Sequence, residues 1–331
     1  MAGHSAIVDK SGRMWIFGGS TGSGLLYDIY HINLADAKCE PGNSGKWTKV
    51  STKNPPAARS SHSAVYHGGR MWVFGGWLGG DAPYSNEHTL SADVHYLDLE
   101  ASTWSVVEPH GWKPMARYAH QALMGADGRM WIYGGYNING TAKEGVAMVA
   151  LDRLYCFDTD KRIWSALTAA GSAPNYLGYP FVAMDAAGRM WMGGGFISST
   201  EVNANLFYLD TLSTDLQWKE VEDFKSDVDG PPLNRIGAEA VMEANGNMWI
   251  VGGMTELRQQ LPLCRLATAV QAPTTATTTT TPRPDPGTYI WIILLVVLLC
   301  IIILGGAAVS PQEAQPETLA GKAGSAASGD G

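Results

Sequence analysis

One octapeptide returns along this chain at a nearly fixed distance. GRMWIFGG occupies residues 12–19, GRMWVFGG 69–76, GRMWIYGG 128–135, GRMWMGGG 188–195 and GNMWIVGG 246–253. The central tryptophans are Trp15, Trp72, Trp131, Trp191 and Trp249, spaced by 57, 59, 60 and 58 residues. That period is several times longer than any one strand or helix, so it marks a supersecondary unit copied in tandem. Each copy reads as a short strand between a turn glycine and a glycine pair. Its apolar and aromatic residues suit a pleat covered on both faces. The glycine pair permits a sharp bend or a close approach to a neighbour.

The surroundings of the anchor repeat too. HSAIV (4–8) precedes the first anchor, and YDIYHINL (27–34) and KWTKV (46–50) follow it. The second unit gives HSAVY (62–66), DVHYLDLE (93–100) and TWSVV (103–107). The third gives HQALM (120–124), RLYCFD (153–158) and IWSAL (163–167); the fourth gives PFVAM (180–184), NLFYLD (205–210) and QWKEV (217–221). Four short antiparallel strands per unit, repeated about an axis, are the pattern of a β-propeller blade. After Gly253 the pattern decays. LPLCRL (261–266) reads as a poor third strand, with Cys264 eleven residues after Gly253 as Tyr30 is after Gly19. No fourth strand with tryptophan follows. The expected fold is therefore all-β: four full blades plus a partial fifth over 1–262. An unclosed ring would expose sheet edges and an apolar blade face. The abrupt start inside a first strand points to a missing N-terminal part, and a fifth blade that closes the ring without its outer strand is the other option.

Five glycine pairs stand in register with Tyr30, Tyr96, Tyr155 and Tyr208 in the third strands and Trp47, Trp104, Trp164 and Trp218 in the fourth. This set resembles the kelch repeat over roughly residues 1–255. Pro56, Arg59 and His62, and again Pro114, Arg117 and His120, resemble the kelch subclass with an Arg–His pair before the first strand. The fourth unit departs from it with Asn175, Tyr176, Gly178 and Pro180, and the fifth keeps Arg235 but has Ala238 in place of histidine. The resemblance implies a propeller used mainly to bind other proteins. Two alternatives accompany it: a galactose-oxidase-like or carbohydrate-binding propeller at the cell surface, and a gene-model fragment of a larger kelch protein.

The chain has 331 residues and a net charge of −8, with no basic run. Nucleic acid is not expected as a partner, because phosphate neutralisation needs a basic patch. Cys39, Cys156, Cys264 and Cys300 share no spacing that suggests a disulfide framework or zinc site, and read as free thiols. Residues 263–288 form a Thr/Pro-rich tract, expected to be an extended stalk of about 3 Å per residue. Residues 289–309 carry no charge; at 1.5 Å per residue they span about 30 Å, enough for one transmembrane helix. Tyr289 and Trp291 stand where an interfacial aromatic belt would be. The tail, 310–331, is expected to be disordered. These features read as a single-pass protein of the plasma membrane or a secretory-pathway membrane. Two orientations stay open. Arg258, Arg265 and Arg283 before the span, against Lys322 after it, favour a cytosolic propeller. The stalk and the acceptor triplet beginning at Asn139 favour one facing outward, with Asn139 glycosylated.

His4, His62 and His120 hold one repeated position, and a residue that recurs once per repeat usually serves the blade rather than a metal. No HExxH or P-loop occurs. A galactose-oxidase-like copper set would need two tyrosines, two histidines and a tyrosine-bonded cysteine, and no cysteine here is placed to suggest it. No catalysis, metal or cofactor is expected. Strand alternation puts the two-to-three and four-to-one connections on one face, where 77–92 and 136–152 are long loops. The candidate partner-binding residues of that face are Arg59, Trp77, Tyr84, Trp112, Arg117, Tyr136, Tyr176 and Arg235, since aromatic and arginine side chains dominate interface energetics. The competing reading of the arginines is that they bridge blades by hydrogen bonds to carbonyls.

Overall fold

A computed structural model describes residues 2–36, 45–79, 90–139, 147–151, 153–175, 178–197, 201–226, 233–243, 245–255 and 263–268. The first blade contains Ser5–Val8, Arg13–Phe17, Ile29–Asn33 and Thr48–Val50, hydrogen-bonded in that order. The second contains Ser63–His67, Arg70–Phe74, Val94–Asp98 and Thr103–Val107. The third contains Gln121–Met124, Arg129–Tyr133, Leu154–Asp158 and Ile163–Leu167, and the fourth Phe181–Met184, Arg189–Gly193, Leu206–Asp210 and Gln217–Val221. Every pairing within these four-stranded meanders is antiparallel. The strands fall where the repeats place them, except that the first blade's fourth strand is cut to three residues and leaves Trp47 half-buried outside it.

Alternation along the anchor strand explains how blades stack. In RMWIF the tryptophan and phenylalanine point to one face, methionine and isoleucine to the other. Trp15 and Phe17 pack against Met71, Val73, Leu97 and Trp104 of the second blade. Trp72 and Phe74 meet Met130, Ile132, Phe157 and Trp164 of the third. Trp131 and Tyr133 meet Met190, Met192 and Trp218 of the fourth. Each such side chain, fully buried, contributes roughly 1.5–3 kcal/mol. The fourth-strand tryptophan thus serves the preceding blade, which is why it recurs.

The fifth blade is a complete four-stranded sheet, not the partial one expected. Ile236–Met242, Asn247–Met254 and Cys264–Thr268 form its first three strands, with Cys264 opposite Ile250 as Tyr30 is opposite Ile16. Its outer strand is Phe224–Ser226, from the linker that leaves the fourth blade, with Phe224 opposite Thr268 and Ser226 opposite Leu266. This backbone satisfies an edge that would otherwise present unpaired groups. Elsewhere the same linker only flanks the next blade: Trp104 N–H donates to Lys53 O at 2.9 Å, and Ala170–Gly171 runs parallel to Gln217–Trp218. The propeller therefore extends to Thr268, past the boundary expected at 262. Most of the expected stalk, the apolar run 289–309 and the tail lie outside the described residues. Among the described residues no helix is long and apolar enough to cross a membrane.

Candidate partner-binding face

The long-loop face is built on a repeated clamp. Arg59, Arg117 and Arg235 are 0–1 % exposed. Arg59 Nη1 donates to Gly75 O at 3.0 Å, Arg117 Nη1 to Gly134 O at 3.1 Å and Arg235 Nη1 to Gly252 O at 3.0 Å. Their own carbonyls accept from the glycine pair of the preceding blade: Gly19 N–H to Arg59 O at 2.8 Å, Gly76 to Arg117 at 2.8 Å and Gly195 to Arg235 at 2.7 Å. Each arginine thus ties two blades together. This crowding is what requires glycine: a Cβ on Gly18 would sit 2.7 Å from Arg59 O, and one on Gly75 2.8 Å from Arg117 O. The three arginines therefore lie beneath the face as bridges between blades, not on it as contact residues. Burial pushes the Arg59 guanidinium down to about 10, partly offset by Asp93.

The repeated histidines join blades in a second way. Ser5 Oγ and His62 Nε2 lie 2.7 Å apart across the first junction, and Ser63 Oγ and His120 Nε2 2.8 Å apart across the second. Burial, followed by the charges of Arg59 and His4, pushes His62 down to about 3. Burial with Arg117 and His62 pushes His120 well below its usual value. Both imidazoles are neutral stitches at physiological pH. Among the described residues no three His, Cys, Asp or Glu side chains converge as a metal would need.

At the start of each first strand or just before it, one residue per blade takes a left-handed conformation: Gly3, Ser61, Ala119, Tyr179 and Gly237, with φ from 52° to 64°. Their backbones link blade to blade. Ser61 N–H donates to Gly3 O at 2.7 Å, Ala119 to Ser61 at 2.9 Å, Tyr179 to Ala119 at 2.9 Å and Gly237 to Tyr179 at 3.0 Å. Three non-glycine residues held there carry strain of the kind that clusters at functional surfaces. Beside this axial opening stand three half-buried tyrosines. Tyr118 and Tyr136 exchange backbone hydrogen bonds at 3.1 and 2.9 Å and hold their ring centroids 5.9 Å apart. Tyr179 OH lies 3.3 Å from Ser61 Oγ. Burial, then the phenols of Tyr179 and Tyr136, pushes Tyr118 up to about 12. Burial raises Tyr136 as well, and the three side chains offer ring faces with hydrogen-bonding tips, a chemistry of recognition.

Of the residues expected on this face, Tyr136 belongs to the axial cluster. It begins Tyr136–Asn139, which pairs with Ala147–Ala150, so the loop expected at 136–152 contains a hairpin. Trp77 is half-buried and bridges Ser60 through paired backbone bonds of 2.9 and 3.0 Å. Trp112 is 51 % exposed, edge-on to Tyr155 at 5.6 Å, with Arg117 on the same ring at 4.8 Å. Tyr84 and Tyr176 lie outside the described residues, and Asn139 is placed only as a strand position. The sequence reading missed Tyr118 and Tyr179. The available signal was the shared phase of Gly3, Ser61, Ala119, Tyr179 and Gly237, one residue before the histidine position.

The family model KLHDC2/KLHL20/DRC7 Kelch-repeats domain matches residues 1–137 and 77–306. The chain belongs to the kelch-repeat β-propeller family. It is 32 % identical over 137 residues to the Drosophila melanogaster protein "Leucine-zipper-like transcriptional regulator 1 homolog", covering 41 % of this chain and 13 % of that one. It is 27 % identical over 267 residues to "Putative adagio-like protein 2" of Oryza sativa subsp. japonica, covering 76 % and 38 %. Human "Kelch domain-containing protein 3" is 33 % identical over 139 residues, covering 41 % and 34 %. The chain thus spans less than half the length of these relatives. The "Structure of YjhT" superposes with a TM-score of 0.57 at 19 % identity, covering 77 % of this chain and 72 % of that one, a likeness of fold alone.

Proposed function

We propose that this chain is a membrane-tethered kelch propeller that docks a protein partner on its long-loop face, without catalysing a reaction. The observation that carries the reading is the axial group of Tyr118, Tyr136 and Tyr179 beside strained backbone, with Trp112 exposed further out. Aromatic side chains of this kind supply much of the energy of protein interfaces. Kelch propellers generally bind protein partners, which supports the reading. The serine–histidine pairs resemble a nucleophile and its base only in composition. They are buried and repeat from blade to blade, so their role is to join sheets. The tether rests on the uncharged run 289–309 and the Thr/Pro-rich tract before it.

Photo-crosslinking tests the docking face. A benzophenone amino acid at Tyr179 is expected to yield a discrete protein adduct in cells, and one at Lys10, in a one-to-two turn on the opposite face, is not. Adducts from both positions or from neither would overturn it. Alkaline carbonate extraction tests the tether: the full chain should stay with the membrane pellet and a chain lacking 289–309 should be released.

A further inference from the structure

The five blade junctions are not alike. Four are closed by the axial hydrogen bonds from Gly3 through Gly237. Among the described residues no such bond joins Gly237 to Gly3, which would complete the circle. A Cβ on Gly237 would meet nothing within 4 Å, whereas one on Gly3 would sit 3.0 Å from Ser61 N. The apolar clusters agree: among the described residues four join successive blades, and none joins the fifth to the first.

The side chains at this seam follow from the repeat. Ser5, opposite Phe17, and Ser63, opposite Phe74, reach the histidine of the next blade. Gln121, opposite Tyr133, donates from Nε2 to Pro180 O at 3.0 Å. The fifth blade has Glu239 at that position, opposite Val251. Ser5 and Ser63 are buried, whereas Glu239 is exposed and no cation among the described residues pairs with it. Ala6 and Val8 of the first blade are exposed too, while Ala122 and Val182, in the place of Ala6 on other blades, are buried against the blade in front. Further out on the same face of the first blade, Met14, Ile16 and Ile32 are buried. The opening is thus confined to the innermost strands, which suits one extended segment rather than a whole blade.

We propose that the axial seam between the fifth and first blades receives an extended segment of a partner protein that sets a histidine, lysine or arginine against Glu239 and a backbone N–H against the Gly237 carbonyl. The proposal rests on the reading that a protein docks on the long-loop face, and names what that partner must present. The argument is charge complementarity joined to register. At the first two junctions the incoming chain brings a left-handed residue and then a histidine to the receiving serine; here the first blade brings Gly3 and His4, but the serine is replaced by a carboxylate that has no counter-charge beside it among the described residues. Although the side chain reaches solvent, the protein packed around the Glu239 carboxyl strips part of its hydration without supplying a counter-charge and pushes it up to about 7, the condition that an arriving cation relieves. Ala6 and Val8, exposed on the first blade, offer apolar surface for the stem of a long basic side chain.

The probe is a fluorescein-labelled peptide copying residues 57–67 of this chain, AARSSHSAVYH, the segment that closes the first junction with Ser61 and His62. Fluorescence anisotropy with the full chain in detergent should give saturable binding. Glu239→Gln should weaken it at least tenfold, as should alanine in place of the peptide's first histidine, and arginine there should retain it. Glu201→Gln, an exposed acid on another blade, should change nothing. Absence of saturable binding, or equal binding by the Glu239→Gln protein, overturns the proposal. A Tyr179 protein adduct in cells alongside a failed peptide titration would sink the seam alone and leave the docking face standing.

Discussion

The indole of Trp15 donates from Nε1 to Oδ2 of Asp9 at 2.9 Å, across the turn that joins the first two strands. Asp9 also accepts from the backbone N–H groups of Ser11 and Arg13 at 2.8 and 3.1 Å and from Arg13 Nε at 2.8 Å. Burial alone would raise this carboxyl, but these bonds outweigh it and hold it below the usual value. The arrangement recurs in the fourth blade, where Trp191 reaches Asp185 at 2.9 Å, and in the fifth, where Trp249 reaches Glu243 at 2.7 Å. In the third blade Asp127 holds Arg129 instead, and the Trp131 Nε1 has no hydrogen-bond partner. Asp9→Ala is therefore expected to cost about 2–3 kcal/mol in urea unfolding, because it strands a buried indole N–H and several turn donors. Asp127→Ala should cost about 1 kcal/mol or less, since it takes nothing from its tryptophan.

The turn glycine and the glycine pair of the anchor make a second contrast. Gly12 and Gly75 both have positive φ, 73° and 69°. A Cβ on Gly12 meets nothing within 4 Å, whereas one on Gly75 would strike Arg117 O at 2.8 Å and His120 Cε1 at 2.9 Å. Gly12→Ala should cost about 1 kcal/mol, the backbone term alone. Gly75→Ala should cost about 3 kcal/mol or more, because the junction must also spread. Thermal denaturation of the two variants decides whether the pair is there for conformation or for close packing.

Arg117 tests the clamp. Its Nε donates to Met115 O at 3.3 Å and its Nη1 to Gly134 O at 3.1 Å. Lysine keeps the charge but cannot reach both carbonyls with a planar fork. Arg117→Lys is expected to lose about 2–3 kcal/mol in chemical denaturation. A loss below about 0.5 kcal/mol would return the arginine to the role of a surface contact.

Acid should open the junctions. His62 is held near 3 and His120 well below 6.5, each mainly by burial, while an unfolded histidine titrates near 6.5. The unfolded chain therefore binds protons first as pH falls. Stability contributed by the neutral imidazoles is fully present above about pH 6.5 and is lost as pH drops toward 3. For His62 the loss at pH 5 is about 2 kcal/mol. His62→Gln should flatten that slope in a urea series between pH 7 and 5, at the expense of stability at pH 7.

Much of the fold was legible because a blade is a local object. The period of the anchor octapeptide, and the alternation within RMWIF, set the positions of the strands and the faces they bury, through the two-residue repeat of a pleat. Even the weak third strand of the fifth blade could be placed, since Cys264 keeps the distance from its glycine pair that Tyr30 keeps from its own.

The candidate site was legible only as residue types. Arg59, Arg117 and Arg235 lie beneath the face, as the bridging reading expects and the contact reading does not. Both readings fit the sequence, because a repeated arginine looks the same there whether it faces solvent or a glycine carbonyl. Tyr118 and Tyr179 come together from different blades, and the outer strand of the fifth blade precedes the strand it pairs with. By itself the sequence determined the repeating unit, its strands and their faces. Only the tertiary structure decided which junctions close, which arginines are buried and where Glu239 stands. Those outcomes depend on contacts between separate sheets, whose partners no pattern within one repeat can specify.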